Sequence, residues 1–312
     1  MALTHTLPWL GLGTAPLGNL FAAVSEAEAA ATVHTAWQHG IRYFDTAPQY
    51  GHGLAETRLG AALADYPRDE FTLVSKVGRV VEPVVAGAAR AASSFVDLPD
   101  ADLRFDYSRD GVLRSLEESL ERLGADRLDI VHVHDPDAHE AEALATAFPT
   151  LIELREQGVI GQVGCGMNQV AMLARFVEQV DLDCILMAGR YTLLDRSGEA
   201  LLEECQASGI DVIAGGVFNS GLLARPVVGA TFDYLAAPAE LVARAQALQA
   251  VCEEFLVPLP AAALQFVARH SAVVRTLVGV RSAAEIAADV MYAEMAIPAE
   301  LWSQLEAVAL RQ

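Results

Sequence analysis

The sequence predicts a closed barrel of eight parallel strands ringed by helices, (β/α)8, formed as one domain over residues 1–312. Three observations carry that reading. Short β-branched or apolar runs alternate with longer amphipathic stretches along the chain, the pattern of a parallel sheet with helical crossovers. Glycine recurs where a helical stretch meets the next run, in His39-Gly40-Ile41, Leu123-Gly124-Ala125, Gln157-Gly158-Val159 and Ser208-Gly209-Ile210. Lacking a Cβ, it takes the left-handed cap that ends a helix. No Pro- or Ser-rich linker divides the chain. A doubly wound open sheet is the competing arrangement, but Gly11-Leu12-Gly13 lacks the third glycine of a dinucleotide fingerprint and leads into no helix.

Taken in order, the expected strands are Trp9–Thr14, Ile41–Thr46, Phe71–Val77, Leu128–His134, Gly161–Met167, Cys184–Tyr191, Asp211–Val217 and Arg275–Val280. Between them, Ser25–His39, Asp110–Leu123, Glu140–Gln157, Val170–Gln179 and Glu199–Ser208 are expected as helices. In Asp110–Leu123, the side chains Val112, Leu113, Leu116, Leu120 and Leu123 fall on one helical face. Ser282–Met295 follows the last strand, and Ala299–Leu310 is expected as an extra helix capping one end. Gly78–Tyr107 and Phe218–Ala237 are longer than a barrel needs and are expected as long loops at the C-terminal mouth, walls or lids of a site.

Composition narrows the function. Hydrophobic residues are 53% of the chain and charged ones 20%, which suits a packed core and excludes wholesale disorder. A formal net charge of −20 argues against a nucleic-acid partner. No apolar run reaches 18 residues, and Met1–Leu10 lacks the basic start and long apolar core of a secretory signal, so no membrane partner is expected. Cys165, Cys184, Cys205 and Cys252 form no CxxC pair; neither a metal site nor a disulfide framework is expected, and a reducing, cytoplasmic location is. No exposed heptad or edge pattern speaks to oligomeric state.

Lys76 is the single lysine among 21 basic residues. A codon bias toward arginine explains the excess of arginine but not the survivor. A compact ammonium whose pKa shifts on burial is what arginine cannot supply. Reactive groups of such barrels stand at the C-terminal ends of strands. There the runs end on Asp45, Lys76 and His134, with Tyr50 five residues past Asp45. Plainer roles exist: Asp45 capping a turn with Thr46, Tyr50 as a half-buried aromatic, His134 as a core histidine alongside His132. Together the four make one machine. A Lys–Asp pair beside a tyrosine is expected to lower a phenol pKa that is ordinarily about 10. Such a tyrosine exchanges a proton with a carbonyl or alcohol oxygen that the histidine orients.

The motifs Leu10-Gly11-Leu12-Gly13-Thr14, Phe44-Asp45-Thr46-Ala47 with Tyr50-Gly51, Glu56-Thr57 with Leu59-Gly60, Ser75-Lys76, Ser115-Leu116-Glu117 through Arg122-Leu123, and Leu128-Asp129-Ile130-Val131-His132-Val133-His134 resemble those of the aldo-keto reductases along nearly the whole chain. The resemblance implies a TIM barrel that binds a nicotinamide dinucleotide across its C-terminal mouth. It also implies a catalytic tetrad of Asp45, Tyr50, Lys76 and His134.

Departures from the family pattern point to a branch. Where the family commonly carries Trp-Pro after the catalytic histidine, this chain has Asp135-Pro136-Asp137; a carboxylate accepts the O–H donors of a hydroxyl-rich substrate. Gly164-Cys165-Gly166-Met167-Asn168 replaces Gly-Val-Ser-Asn, leaving Asn168 to hold the carboxamide, and the usual stacking tyrosine falls near Gly215-Gly216. These changes resemble the aldose 1-dehydrogenase branch, of the L-fucose or D-threo-aldose type. They imply cofactor contacts from Gly13 and Thr14, from Gly215, Gly216, Val217, Asn219, Gly221 and Leu222, and from Gly279, Arg281, Glu285 and Asp289. Asp135, Arg190, His52 and Phe218 are the expected substrate contacts.

The implied reaction is NAD(P)-dependent oxidation of the anomeric carbon of an aldose to a lactone. Tyr50 is its base, and a small sugar or cyclic hemiacetal is the partner. The family's two cations for the 2′-phosphate of NADP fall on Gly279 and Glu285, so NAD is the expected cofactor; Arg281 is the residue that favours NADP. The competing readings are a pyridoxal 4-dehydrogenase, a general carbonyl reductase, and a non-enzymatic cofactor-sensing subunit of a channel. Multiple turnover with a sugar separates the last from the rest.

Overall fold

Hydrogen bonding between neighbouring runs closes the sheet on itself. In this computed structural model, which describes residues 7–84 and 93–309, the barrel strands are β1 Leu10–Gly13, β2 Tyr43–Asp45, β3 Thr72–Val77, β4 Leu128–His134, β5 Ile160–Met167, β6 Cys184–Ala188, β7 Asp211–Gly215 and β8 Val273–Gly279. Each strand lies parallel to its neighbours in sequence. The last returns to the first, with Leu10 opposite Thr276 and Gly13 opposite Gly279.

The expected joints hold. Gly40, Gly124, Gly158 and Gly209 all have positive φ, between +61° and +81°. Ser25, Ser108 and Ser282 open their helices by accepting a backbone N–H three residues on. Two strands stop short of expectation for the same reason: β6 ends where Gly189 turns at φ +70°, and β7 where Gly216 turns at φ +63°. The stretch expected as one helix over Glu140–Gln157 runs through a wide π turn at Ala143–Ala147 before continuing as Phe148–Glu156. Pro149 lies just past that turn, and its missing N–H would break a regular ladder there.

Leu54–Leu63, Ala239–Glu254, Leu259–Ala268 and Ala283–Glu294 complete the outer layer. The final helix Ala299–Ala309 packs against Ala239–Glu254 on the flank, where a cap over one barrel end was expected; Leu310 lies outside the described residues. No single helix among the described residues is long and apolar enough to cross a membrane.

Alternation along the strands makes two cores. Tyr43, Val74, Ile130, Cys184, Leu186, Ile213 and Leu277 fill the barrel interior. Phe44, Leu73, Val131, Val133, Val163 and Ile185 face the helices. The same alternation on β4 sends His132 and His134 inward. His132 needs glycine opposite: a Cβ on Gly164 would stand 2.3 Å from its Nδ1.

The two long excursions contain hairpins. Arg79–Pro83 pairs antiparallel with Ala101–Phe105, and Thr231–Phe232 with Leu235–Ala236. Both contribute side chains to the C-terminal mouth.

Candidate active site

Strands β2, β3 and β4 bring their charged ends together at that mouth. Asp45 is the last residue of β2, Lys76 lies one residue from the end of β3, and His134 ends β4. Tyr50 follows β2 in a tight turn whose backbone rests on Gly18. A Cβ on Gly18 would stand 2.6 Å from the Tyr50 carbonyl carbon, and Gly51 sits at φ +65°.

Lys76 is 1% exposed. Its Nζ donates to Asp45 Oδ1 at 2.6 Å and to the Thr46 carbonyl at 2.8 Å, and lies 4.8 Å from the centre of the Tyr50 ring. The Tyr50 and His134 rings meet edge to face at 5.8 Å. Burial raises the Asp45 carboxyl against the opposing pull of Lys76, and its Oδ2 has no hydrogen-bond partner among the described residues. Burial, then the cations Arg79 and Lys76, hold His134 well below the ordinary imidazole range. His132, beneath it, is pushed down to about 3, first by burial and then by Lys76. Both imidazoles are therefore neutral at physiological pH.

The phenol corrects an expectation. Burial, with Asp45 next, raises Tyr50 well above its ordinary value, where a lowered value was expected. Asp45 at 2.6 Å compensates the ammonium, so the phenol faces a paired charge rather than a free cation. In this state the site presents a protonated phenol and a neutral imidazole side by side, a geometry that holds one carbonyl or hydroxyl oxygen between them.

A cavity of about 500 Å³ opens over these groups. Of the expected residues it is lined by Tyr50, Lys76, His134, His52, Asp135, Asn168, Gly216 and Asn219. Asp45 reaches it only through Lys76. His52, at φ +52°, is fixed by a bond between Nδ1 and the Ala101 carbonyl at 2.8 Å. Asn219 accepts from Thr192 Oγ1 and donates one Nδ2 hydrogen to the Gly189 carbonyl, which fixes its amide in the wall.

Other expected contacts are elsewhere. Arg190 donates to the Asn168 carbonyl and pairs with Asp195 at 3.1 Å and Asp233 at 2.7 Å; it lashes the second hairpin to the barrel instead of facing the cavity. Phe218, Val217 and Leu222 pack into the outer core. Gly13 and Gly279 pair across the β1–β8 seam, and Gly215 and Gly221 lie off the cavity wall. Thr14 is buried with a hydroxyl that lacks a partner among the described residues. Arg281 and Glu285 are exposed at the head of Ala283–Glu294, where the Glu285 carboxylate accepts the Arg281 backbone N–H at 2.7 Å. Asp289 is buried in that helix, its carboxyl pushed up to about 7 by burial and by Glu285.

Sequence reasoning missed the groups that the excursions supply: Arg79, Phe95, Asp102 and Tyr234 on the cavity wall, and Tyr107 beneath it, whose hydroxyl donates to the His134 carbonyl at 2.7 Å. The unusual length of those loops was the available signal.

The sequence pattern of the Aldo/keto reductase family matches residues 9–310. The chain belongs to that family. Its members are oxidoreductases that use nicotinamide nucleotides. A relative from Pseudomonas sp., D-threo-aldose 1-dehydrogenase, is 43% identical over 96% of this chain and 93% of its own length. Pyridoxal 4-dehydrogenase from Microbacterium luteolum is 42% identical over 98% of this chain and 95% of its own. The holo form of an aldo-keto reductase from Bacillus halodurans superposes with a TM-score of 0.75 at 25% identity, over 96% of this chain and 92% of that one.

The cavity suits an aldo-keto reductase's nicotinamide. Gly166, Gly189 and Gly216 keep one stretch of the wall low, and a Cβ on Gly216 would stand 2.9 Å from the Gly189 nitrogen. A planar ring can lie against such a surface. Asn168 stands at its edge.

Proposed function

We propose that this enzyme oxidises the anomeric carbon of an aldose to a lactone. The observation that carries the reading is Asp135, a carboxylate on the cavity wall directly after His134, held at φ +40°. A non-glycine residue in that region is strained, and such strain gathers at ligand sites. A carboxylate accepts hydroxyl donors and repays little of an apolar substrate's desolvation.

Tyr50, as the phenolate, takes the proton of the anomeric hydroxyl and becomes a neutral phenol. Lys76, held by Asp45 and the Thr46 carbonyl, stands under the ring and stabilises that phenolate before the transfer. Neutral His134 donates to the same substrate oxygen, fixing it beside Tyr50. A nicotinamide, when bound, would supply the acceptor for the hydride from C1, and Asn168 with Gly166, Gly189 and Gly216 would hold it. NAD is the preferred cofactor on this reading, because an exposed carboxylate at Glu285 opposes a 2′-phosphate and Arg281 alone favours one. Four buried free thiols suit a reducing, cytoplasmic setting.

A second reading has equal support from likeness: the relative named pyridoxal 4-dehydrogenase is 42% identical, and a cyclic hemiacetal presents the same hydroxyl to Tyr50. A panel of aldoses, pyridoxal and simple aldehydes, each with NAD and NADP, tests both. The highest kcat/KM is expected for an aldose with NAD and lactone as product. Faster turnover of pyridoxal than of every aldose overturns the proposal, and absence of multiple turnover with all of them favours a cofactor-sensing role.

A further inference from the structure

The groups around Asp135 define which hydroxyl it reads. Asp135 Oδ2 lies 3.5 Å from His134 Nε2 and 3.4 Å from Arg79 NH2. Both contacts are longer than a charge-assisted hydrogen bond, which runs about 2.7–2.9 Å. The oxygen is thus flanked by two donors without being saturated by either. It can still accept a short bond from a ligand hydroxyl.

Its position is held firmly. The Asp135 N–H donates to the Gly166 carbonyl at 3.0 Å, and the Tyr107 hydroxyl donates to the Asp135 and His134 carbonyls at 3.0 and 2.7 Å. Arg79 is buried at 7% exposure and lines the cavity. Its NH1 donates to the His134 carbonyl at 3.1 Å, its guanidinium lies over the Phe105 ring at 4.9 Å, and Ser115 Oγ donates to its carbonyl at 3.0 Å. One fork therefore spans both residues that face the substrate, which a lysine cannot do.

We propose that Asp135, positioned by Arg79, recognises the hydroxyl on the carbon next to the reacting carbon. The substrate class is then an α-hydroxy hemiacetal, as in an aldose with a free 2-hydroxyl. The inference rests on the proposed aldose reading. An oxygen held at His134 Nε2 and a hydroxyl on the adjacent carbon span the gap between Nε2 and Oδ2. The 2-hydroxyl donates to Asp135 Oδ2 and accepts from Arg79 NH2, which completes both partners.

The test compares an aldose with its 2-deoxy analogue, using the full chain at saturating cofactor. The wild type is expected to favour the parent sugar by roughly 10- to 100-fold in kcat/KM, the range of a hydrogen bond to a charged group. Asp135→Asn keeps the left-handed backbone, which asparagine tolerates. It should lose several-fold on the parent sugar through KM and little on the analogue. Arg79→Lys should contract the same ratio while leaving cofactor KM unchanged. Equal turnover of parent and analogue by the wild type, or an undiminished ratio in both variants, overturns the clamp and leaves aldose oxidation standing. Losses that fall equally on the two sugars mark a purely structural role and also overturn it. An enzyme that turns over aryl aldehydes and no aldose overturns the proposed function, and the clamp with it.

Discussion

The two ends of the barrel carry the same pair of residue types and do different things with them. At the C-terminal mouth, Tyr50 lies over Lys76, whose ammonium is 4.8 Å from the ring. At the N-terminal end, Tyr43 lies under Arg275, whose guanidinium is 5.8 Å from the ring, beside a smaller cavity with Cys184, Asp211 and Gln162. Lys76 is enclosed and fixed by Asp45 and a carbonyl. Arg275 is half-buried and spends NH1 on the adjacent Val274 carbonyl. Tyr43, at 4% exposure, has a hydroxyl with no partner among the described residues. A tyrosine beside a cation is therefore no site by itself. The buried carboxylate that fixes the cation, and the histidine that meets the tyrosine edge to face, distinguish one end from the other.

Removing the same oxygen at each end gives the largest contrast. Tyr50→Phe is expected to lower kcat by about 10²- to 10⁴-fold, the usual contribution of a general base. Tyr43→Phe should leave kcat within a factor of about two and stability unchanged or slightly raised, because a buried hydroxyl without a partner is a net cost. Steady-state kinetics and thermal melts of the pair decide; comparable losses in both would erase the distinction.

Exchanging the cations comes next. Lys76→Arg should cost on the order of 100-fold in turnover, since a planar guanidinium cannot take the same enclosed position under Tyr50. Arg275→Lys should pass almost unnoticed. Full activity in Lys76→Arg would return the lone lysine to codon bias.

The raised phenol sets the pH behaviour. Tyr50 acts as base only after losing its proton, and burial holds that loss above its ordinary range. Sugar oxidation, measured as kcat/KM, is expected to climb with pH into the alkaline range, and carbonyl reduction to fall there. A neutral-pH optimum for oxidation would show that ligand binding reverses the shift.

A smaller effect separates two buried carboxylates. Asp45 faces Lys76, whereas Asp289 faces Glu285 and is pushed up to about 7. Between its ordinary value near 4 and about 7, the folded protein binds a proton that the unfolded chain has released. This contribution to stability is present at low pH and is lost as pH rises through about 7. Asp289→Asn should remove that slope and stabilise the protein at pH 8 by on the order of 1–3 kcal/mol, read by denaturant melts at pH 5 and 8. An unchanged slope would show that the carboxyl finds a cation in solution.

The smallest expected change is at the exposed helix head. Glu285→Gln should shift the ratio of NAD to NADP efficiency toward NADP by a few-fold, as suits a screened surface charge. A ratio that does not move would confine Glu285 to capping its own helix.

What was legible in the sequence follows from periodicity. The strands, the glycine joints and the ends carrying Asp45, Lys76 and His134 each show a local pattern of apolar run and cap, and that pattern sufficed to place them. Arg79, Phe95, Tyr107 and Tyr234 come from excursions whose fold depends on contacts with distant strands. Arg190 was expected as a substrate contact, yet Asp195 and Asp233 pair with its guanidinium. Glu285 was expected at the cofactor, and nothing in its spacing showed that its carboxylate also accepts the Arg281 N–H. Chain order locates a side chain; its partners decide whether it is free to meet a ligand.

The enclosure of Lys76 also bears on chemistry that no enzyme directs. Open-chain sugars condense with lysine amines, and long exposure to them slowly cross-links and browns many proteins. This chain has one lysine, and it is 1% exposed and anchored at both Asp45 and Thr46. With arginine as its surface cation, the folded chain leaves glycation no exposed lysine to start from. Amine-directed coupling reagents will likewise find no side-chain handle on its folded surface.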